Sequence, residues 1–146
     1  MKSVYFWDMQ LSVIILNYNV RYFLELCVLS VQKAIQNLDA EIIVVDNNSS
    51  DDSCAMMKER FPNVKLIENK TNFGFPKGNN IGVDQAKGEY ICILNPDTVV
   101  AEDTFEGLSR RMSETRRIYV RVRRTNGFEK SVKELKGVKS ISKADG

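Results

Sequence analysis

Between Leu11 and Asp103 the chain alternates short apolar runs with longer amphipathic ones. Leu11–Leu16 (LSVIIL) is a compact β-branched run, which reads as a buried strand. Over Arg21–Gln36, Phe23, Leu24, Cys27, Val28, Val31 and Ile35 recur at helical spacing. Glu41–Val45 (EIIVV) is a second buried strand ending at Asp46. Ser50, Asp51 and Asp52 then offer an N-cap and first-turn acids for a helix running through Arg60. Val64–Ile67 reads as a third strand. A glycine-rich turn at Gly74 leads to a helix from about Pro76 to Lys87, and Glu89–Leu94 (EYICIL) is a fourth strand that ends at Asn95-Pro96-Asp97. Near-continuous apolar strands alternating with helices specify an α/β fold whose mainly parallel sheet is covered on both faces.

Beyond Asp103 the pattern changes. Thr104–Met112 permits a helix, and Ile118, Val120 and Val122 alternate with Tyr119, Arg121 and Arg123 as in one strand. From Thr125 to Gly146 no periodicity stands out, and that stretch reads as loose. The charge changes with it: residues 1–103 hold 9 Lys/Arg against 14 Asp/Glu, whereas residues 104–146 hold 12 against 5. The chain's 146 residues suit one domain with a real core. Its longest uncharged early run, Met9–Val20, falls short of the roughly 20 apolar residues that span a bilayer, and Val4–Trp7 makes a poor signal-peptide core. A cytoplasmic protein is expected. Three well-separated cysteines, Cys27, Cys54 and Cys92, fit reduced thiols. Histidine is absent, which removes Ser-His-Asp catalysis, histidine-based zinc sites and histidine acid/base schemes.

Chemistry therefore rests on carboxylates, amides, hydroxyls, lysine or arginine. Ligands of open parallel sheets bind beyond the carboxyl ends of the strands, and three of the four expected strands end there in polar clusters: Asn17-Tyr18-Asn19, Asp46-Asn47-Asn48 and Asn95-Pro96-Asp97. Each cluster alone could serve as a turn or cap; three on one edge point to a site. An aspartate or amide after the second strand can meet the edge of a base, and Tyr18 offers a ring to stack on it. Asp97 is a hard oxygen ligand suited to Mg²⁺ or Mn²⁺ held against a diphosphate. Between the third and fourth strands, Asn72–Gly82 (NFGFPKGNNIG) allows close backbone approach and leads into a helix N-terminus that favours anions. It is neither a dinucleotide fingerprint nor a P-loop. A plain turn followed by a close helix crossing at Gly78 and Gly82 is its bland alternative.

The four ordered segments SVIILNYN (12–19), EIIVVDNNSSDDS (41–53), NFGFPKGNNIG (72–82) and GEYICILNPDT (88–98) closely resemble family 2 glycosyltransferases, particularly their rhamnosyltransferase-like bacterial branch. The resemblance covers about residues 9–108. It implies a GT-A, Rossmann-like three-layer sandwich of which residues 11–108 form the nucleotide-binding half, preceded by an extension at 1–10. It further implies inverting transfer from a UDP- or dTDP-linked sugar to a glycan or lipid-linked acceptor, in cell-surface polysaccharide synthesis, with peripheral association at the inner face of the membrane. Tyr18, Asp46 and Asn47 match positions around the base, and Asn72, Gly74, Lys77 and Asn80 lie in the segment lining nucleotide and phosphates. Asp97 matches the metal-binding aspartate, with Mg²⁺ or Mn²⁺ the implied cofactor. Asn95 stands where the first aspartate of that element often occurs, so Asp97 is the metal ligand that the match assigns.

An inverting transfer needs a base, and none is assigned among Glu106, Glu114, Glu129, Glu134 and Asp145. With the swing to basic charge, residues 109–146 read as a weakly patterned tail of a truncated or frameshifted product, one expected to keep donor binding only. Two rival readings are a nucleotide-binding module without turnover and a nucleic-acid-binding protein acting through the basic tail. The acidic balance of residues 1–103 weighs against the second, and no nucleic-acid partner is expected.

Overall fold

A computed structural model describes residues 10–107 of the chain. In order these form β1 (Leu11–Asn17), α1 (Arg21–Ala34), β2 (Ala40–Asp46), α2 (Ser53–Arg60), β3 (Lys65–Glu68), α3 (Gly74–Val83) and β4 (Tyr90–Leu94). The expected strand at Ile118–Val122, the basic tail and the extension before Gln10 lie outside the described residues. Of the helix expected at Thr104–Met112, residues 104–107 are described and are helical.

The four strands make one parallel sheet in the order β3-β2-β1-β4. β1 pairs with β2 from Leu11↔Ala40 through Asn17↔Asp46, and with β4 from Leu11↔Tyr90 through Ile15↔Leu94. Because successive strand residues point to opposite faces, continuous apolar runs supply two cores at once. Val13, Ile15, Ile42 and Val44 pack with Leu24, Cys27, Val28 and Val31 of α1 and with Met56 and Met57 of α2. Ile14, Ile43 and Val45 pack with Ile81 and Val83 of α3 on the other face. Each fully buried Val or Ile contributes about 1.5–3 kcal/mol by leaving water. The three layers expected from the resemblance are those observed.

Boundaries differ where side chains compete with helix or ladder. The inward stripe of α1 is Leu24, Cys27, Val28, Val31 and Ala34, so Phe23, counted in the apolar periodicity, turns outward and is 57% exposed. Helix α3 begins at Gly74, which places Pro76 in its first turn, where an amide donor is not needed. It ends at Val83 instead of reaching Lys87 because the following backbone is drawn elsewhere. The N–H of Lys87 donates to Glu41 Oε1 at 2.7 Å, and that of Gly88 donates to Ser12 Oγ at 2.9 Å.

The starts of α1 and α2 share one carboxylate. Neither Val20 nor Asp52, the residues at the two N-cap positions, makes a side-chain cap bond. Asp51 replaces both: Oδ2 accepts from the N–H of Arg21 at 3.0 Å and Oδ1 accepts from the N–H of Ser53 at 3.0 Å. Burial alone would push the Asp51 carboxyl up. The nearby Ser53 hydroxyl, the N–H groups of Ser53 and Arg21 that donate to it, and the Arg21 charge outweigh burial and leave the group below its ordinary value. Arg60 of α2 also pairs with Glu25 of α1.

Two predictions follow from this packing. Asp51→Ala should destabilise the fold by about 1 kcal/mol at neutral pH, the usual cost of a lost helix cap. A carboxyl with a lowered folded pKa gives its full contribution above the unfolded value of about 3.9, and that contribution vanishes as pH falls through the folded value. Urea melts of both proteins should therefore differ at pH 7 and converge in acid. Gly88→Ala places a Cβ 2.5 Å from the Ser12 backbone nitrogen and 2.6 Å from the Leu11 carbonyl carbon, whereas a Cβ at Gly107 meets nothing within 4 Å. The first should cost about 1–3 kcal/mol through overpacking and the second close to nothing, as read by the same melts.

Candidate functional site

The chain steps from β1 outward to β2 and β3, then returns to the other side of β1 as β4. In open α/β sheets such a change of direction marks the edge, beyond the carboxyl ends of the strands, where ligands bind. The loops after all four strands meet this edge.

Asn17 and Asp46 close the β1–β2 register and face each other across it. Asn17 is fully buried and Asp46 is 2% exposed. The Asn17 amide Nδ2 donates to Asp46 Oδ1 at 2.8 Å and to Ser49 Oγ at 3.1 Å. Ser49 bends back onto the same carboxylate, its hydroxyl reaching Oδ1 at 2.6 Å and its N–H reaching Oδ2 at 2.7 Å. Ser49 Oγ also accepts from the N–H of Asn19 at 2.9 Å, and Asn19 Oδ1 accepts from the N–H of Ser50 at 2.7 Å. Two residues of these loops, Asn19 at φ 55° and Asn48 at φ 66°, adopt the left-handed conformation that asparagine tolerates well. The stitching leaves Tyr18, between Asn17 and Asn19, on a braced loop and 49% exposed.

A second cluster joins β2 to the glycine-rich segment. Asn47, 2% exposed, donates from Nδ2 to Asn72 Oδ1 at 3.1 Å and to the Gly74 carbonyl at 3.2 Å, and its Oδ1 accepts from Asn69 Nδ2 at 2.9 Å. Asn72 Oδ1 also receives the Gly74 N–H at 2.8 Å. Gly74 takes φ 76°, and there the chain turns from the β3 loop into α3. Lys77 is exposed, its ammonium 4.0 Å from the centre of the Phe73 ring. Asn80 is half-buried on the same helix. Gly78 and Gly82 let α3 lie close on the sheet: a Cβ at Gly78 would approach Leu16 Cδ1 at 2.5 Å, and one at Gly82 would approach Ile14 Cγ2 at 2.5 Å.

Asp97 stands apart from both clusters, exposed on the turn that leaves β4. Of the residues singled out from the sequence, the structure brings Asp46 into the Asn17 cluster and Asn47, Asn72 and Gly74 into the other. Tyr18 and Lys77 are solvent-facing beside them, and Asp97 lies across β1. Sequence reasoning missed Ser49 and Asn69 and gave Asn17 no role. The Asp-x-x-Ser spacing of Asp46 and Ser49 is a turn signature that could have found Ser49; the pairing of Asn17 with Asp46 needed the register.

The surroundings of the three thiols favour the protonated form. Burial pushes Cys27 up to about 12, the Thr98 N–H opposing this and the Asp97 charge adding to it. Burial, joined by the charges of Asp46 and Glu68, takes Cys54 to about 12, and burial alone takes Cys92 to about 11. Protonated thiols are poor nucleophiles and poor ligands.

Among the described residues no three His, Cys, Asp or Glu side chains converge into a metal cage. The donor set fits a different arrangement. One exposed carboxylate at the edge of a sheet suits a hard cation that keeps waters and takes its remaining ligands from substrate phosphates, as Mg²⁺ commonly does. Asp97 could hold Mg²⁺ or Mn²⁺ in that way.

Similar proteins share this architecture. The sequence profile described as glycosyl transferase family 2 matches residues 12–141, past residue 108 where the resemblance carried by the four motifs was expected to stop. Glycosyltransferase GlyG of Streptococcus pneumoniae is 33% identical over 108 residues, which are 71% of this chain and 35% of that protein. A Campylobacter jejuni enzyme, GalNAc(5)-diNAcBac-PP-undecaprenol beta-1,3-glucosyltransferase, is 34% identical over 72% of this chain and 35% of its own length. The crystal structure of Staphylococcus aureus TarS with UDP-GlcNAc superposes with a TM-score of 0.66 at 27% identity, over 73% of this chain and 32% of that one. A mannosyltransferase from Pyrobaculum calidifontis, solved with GDP-Man and Mn2+, shares the fold at a TM-score of 0.65 and 22% identity, over 71% of this chain and 32% of its own. The chain thus spans about a third of the length of these relatives. With the profile matched over most of its residues, and with its fold shared by the solved structures above, the chain belongs to glycosyl transferase family 2.

Proposed function

We propose that residues 10–107 hold the nucleotide diphosphate of a UDP- or dTDP-linked sugar, for inverting transfer to a glycan or lipid-linked acceptor in cell-surface polysaccharide synthesis. The observation that carries the reading is the placement of unlike groups at the carboxyl edge of one parallel sheet. On the β1–β2 side stand the half-exposed ring of Tyr18 and the Asn47–Asn72–Gly74 turn; on the β4 side stands Asp97. A base stacks on the tyrosine. The α3 N-terminus and Lys77, released from Phe73, meet the phosphates. A Mg²⁺ or Mn²⁺ ion at Asp97 would offset the charge that gathers on the diphosphate as the sugar leaves. The UDP-GlcNAc bound by TarS and the undecaprenol-linked substrate named for the Campylobacter enzyme support the donor and acceptor classes.

Asp46 and Asn47 act in this reading mainly as the frame of the base site, since most of their hydrogen-bonding capacity is committed within the protein. Attack on the anomeric carbon needs a base to take the acceptor's proton, and none of the groups above fills that role. No described helix is long and apolar enough to cross a membrane. We place the protein in the cytoplasm, with peripheral attachment to the inner face of the membrane where the acceptor is lipid-linked.

Isothermal calorimetry of the 146-residue chain with UDP and with dTDP, in Mn²⁺ or in chelator, tests the donor site. Either nucleotide should bind more tightly with metal, and Asp97→Ala should abolish the difference while retaining the metal-free affinity. Tyr18→Ala should weaken binding about tenfold or more with or without metal, in keeping with about 1–3 kcal/mol for a base stacked on an aromatic ring. Equal affinity in metal and chelator for the unaltered chain would remove Asp97 from a metal site.

A further inference from the structure

The Asp97 carboxylate is exposed and makes no hydrogen bond or ion pair among the described residues. Its position therefore depends wholly on the backbone turn that bears it. That turn is held on both sides by α1. Before Asp97, the Cys27 thiol lies 3.7 Å from the carbonyl oxygen of Asn95, which also accepts the Thr98 N–H at 3.1 Å and so closes the turn. After Asp97, the N–H of Val100 donates to Ser30 Oγ at 3.1 Å.

Ser30 reaches this amide with its own proton already committed. Its hydroxyl donates at 2.8 Å to the Cys27 carbonyl in the preceding turn of α1. A serine bonding back along its own helix is ordinary; here the bond also points the oxygen's free lone pairs outward, where one takes the Val100 amide. Val100 belongs to no strand, so no ladder partner stands ready to replace Ser30. The neighbouring Val99 is 70% exposed, which leaves the Val100 side chain, packed on the core, as the other tether on this side of the turn.

We propose that Ser30 is a positioning residue for Asp97, fixing from α1 the far side of the turn that presents the cation-holding carboxylate. This rests on the reading of Asp97 given above. Without the serine oxygen the Val100 amide loses its acceptor, the turn drifts, and the carboxylate no longer waits in one place for cation and diphosphate. Groups that orient a metal ligand typically change metal affinity by about 10–100-fold when removed. A serine that served α1 alone would leave the metal response untouched.

The test is calorimetry of UDP on the full chain in Mn²⁺ and in chelator, comparing the unaltered protein with Ser30→Ala, Ser30→Cys and Ser30→Thr, each checked by thermal melting. Ser30→Ala should cut the metal-dependent gain in UDP affinity roughly tenfold and leave the chelator affinity unchanged. Ser30→Cys fills the site but offers a weak acceptor, so it should show the same loss even if the alanine variant fails to fold. Ser30→Thr keeps the hydroxyl and should restore the gain. A full metal-dependent gain in Ser30→Ala or Ser30→Cys overturns the proposal while leaving the donor site standing. So does an equal loss with and without metal, which marks a purely structural serine. If the unaltered chain binds UDP with no metal response, the metal reading of Asp97 falls and this inference falls with it.

Discussion

The bond from the Asn17 amide to the Asp46 carboxylate joins the last residues of two neighbouring parallel strands, and the geometry of the sheet edge is built outward from it. A buried carboxylate is costly unless its oxygens are satisfied; Asn17 and the two donors of Ser49 meet that need. Satisfying it bends the β2 loop back over the end of β1, which draws Asn19 and Ser50 into contact and braces the loop that bears Tyr18. The arrangement also depends on register. A slip of one residue between β1 and β2 would part Asn17 from Asp46 and turn Val13 and Ile15 toward the wrong helix layer.

The fold was legible because its signals are local. Apolar runs of strand length, each followed by polar residues and then by helical spacing, leave few alternatives to a parallel sheet. Phe23 and the end of α3 were misjudged for the opposite reason. The outward turn of Phe23 follows from where α1 lies on the sheet, and α3 stops where Ser12 and Glu41, more than 40 residues earlier, capture the amides of Lys87 and Gly88.

The site was legible as a place but not as a set of roles. Asp46 and Tyr18 look equally available in the sequence, yet one is enclosed by three donors and the other presents its ring to solvent. The same holds for Asn47 and Lys77. Short polar residues after a strand serve either as ligand contacts or as loop ties, and which they do depends on partners that approach from other strands. Asn69 and Ser30 escaped notice because their partners, Asn47 and Val100, come from elsewhere in the chain. Conversely, Gly78 and Gly82 carried a readable signal: glycines four apart on one helix face mark a close crossing, and α3 lies against Leu16 and Ile14 there.

The shared carboxylate at the start of α1 and α2 has a dynamic consequence. When each helix has its own cap, either first turn can fray while the other stays shut. Asp51 serves the Arg21 and Ser53 amides together, so an excursion that withdraws it exposes both at once. The two amides should then exchange with solvent through one common opening, and the loop between Asp46 and Ser53 should breathe as a unit with the start of α1. Motion at the β2 end of the sheet edge is in this way tied to motion beside Tyr18, and the two loops open or hold as one piece.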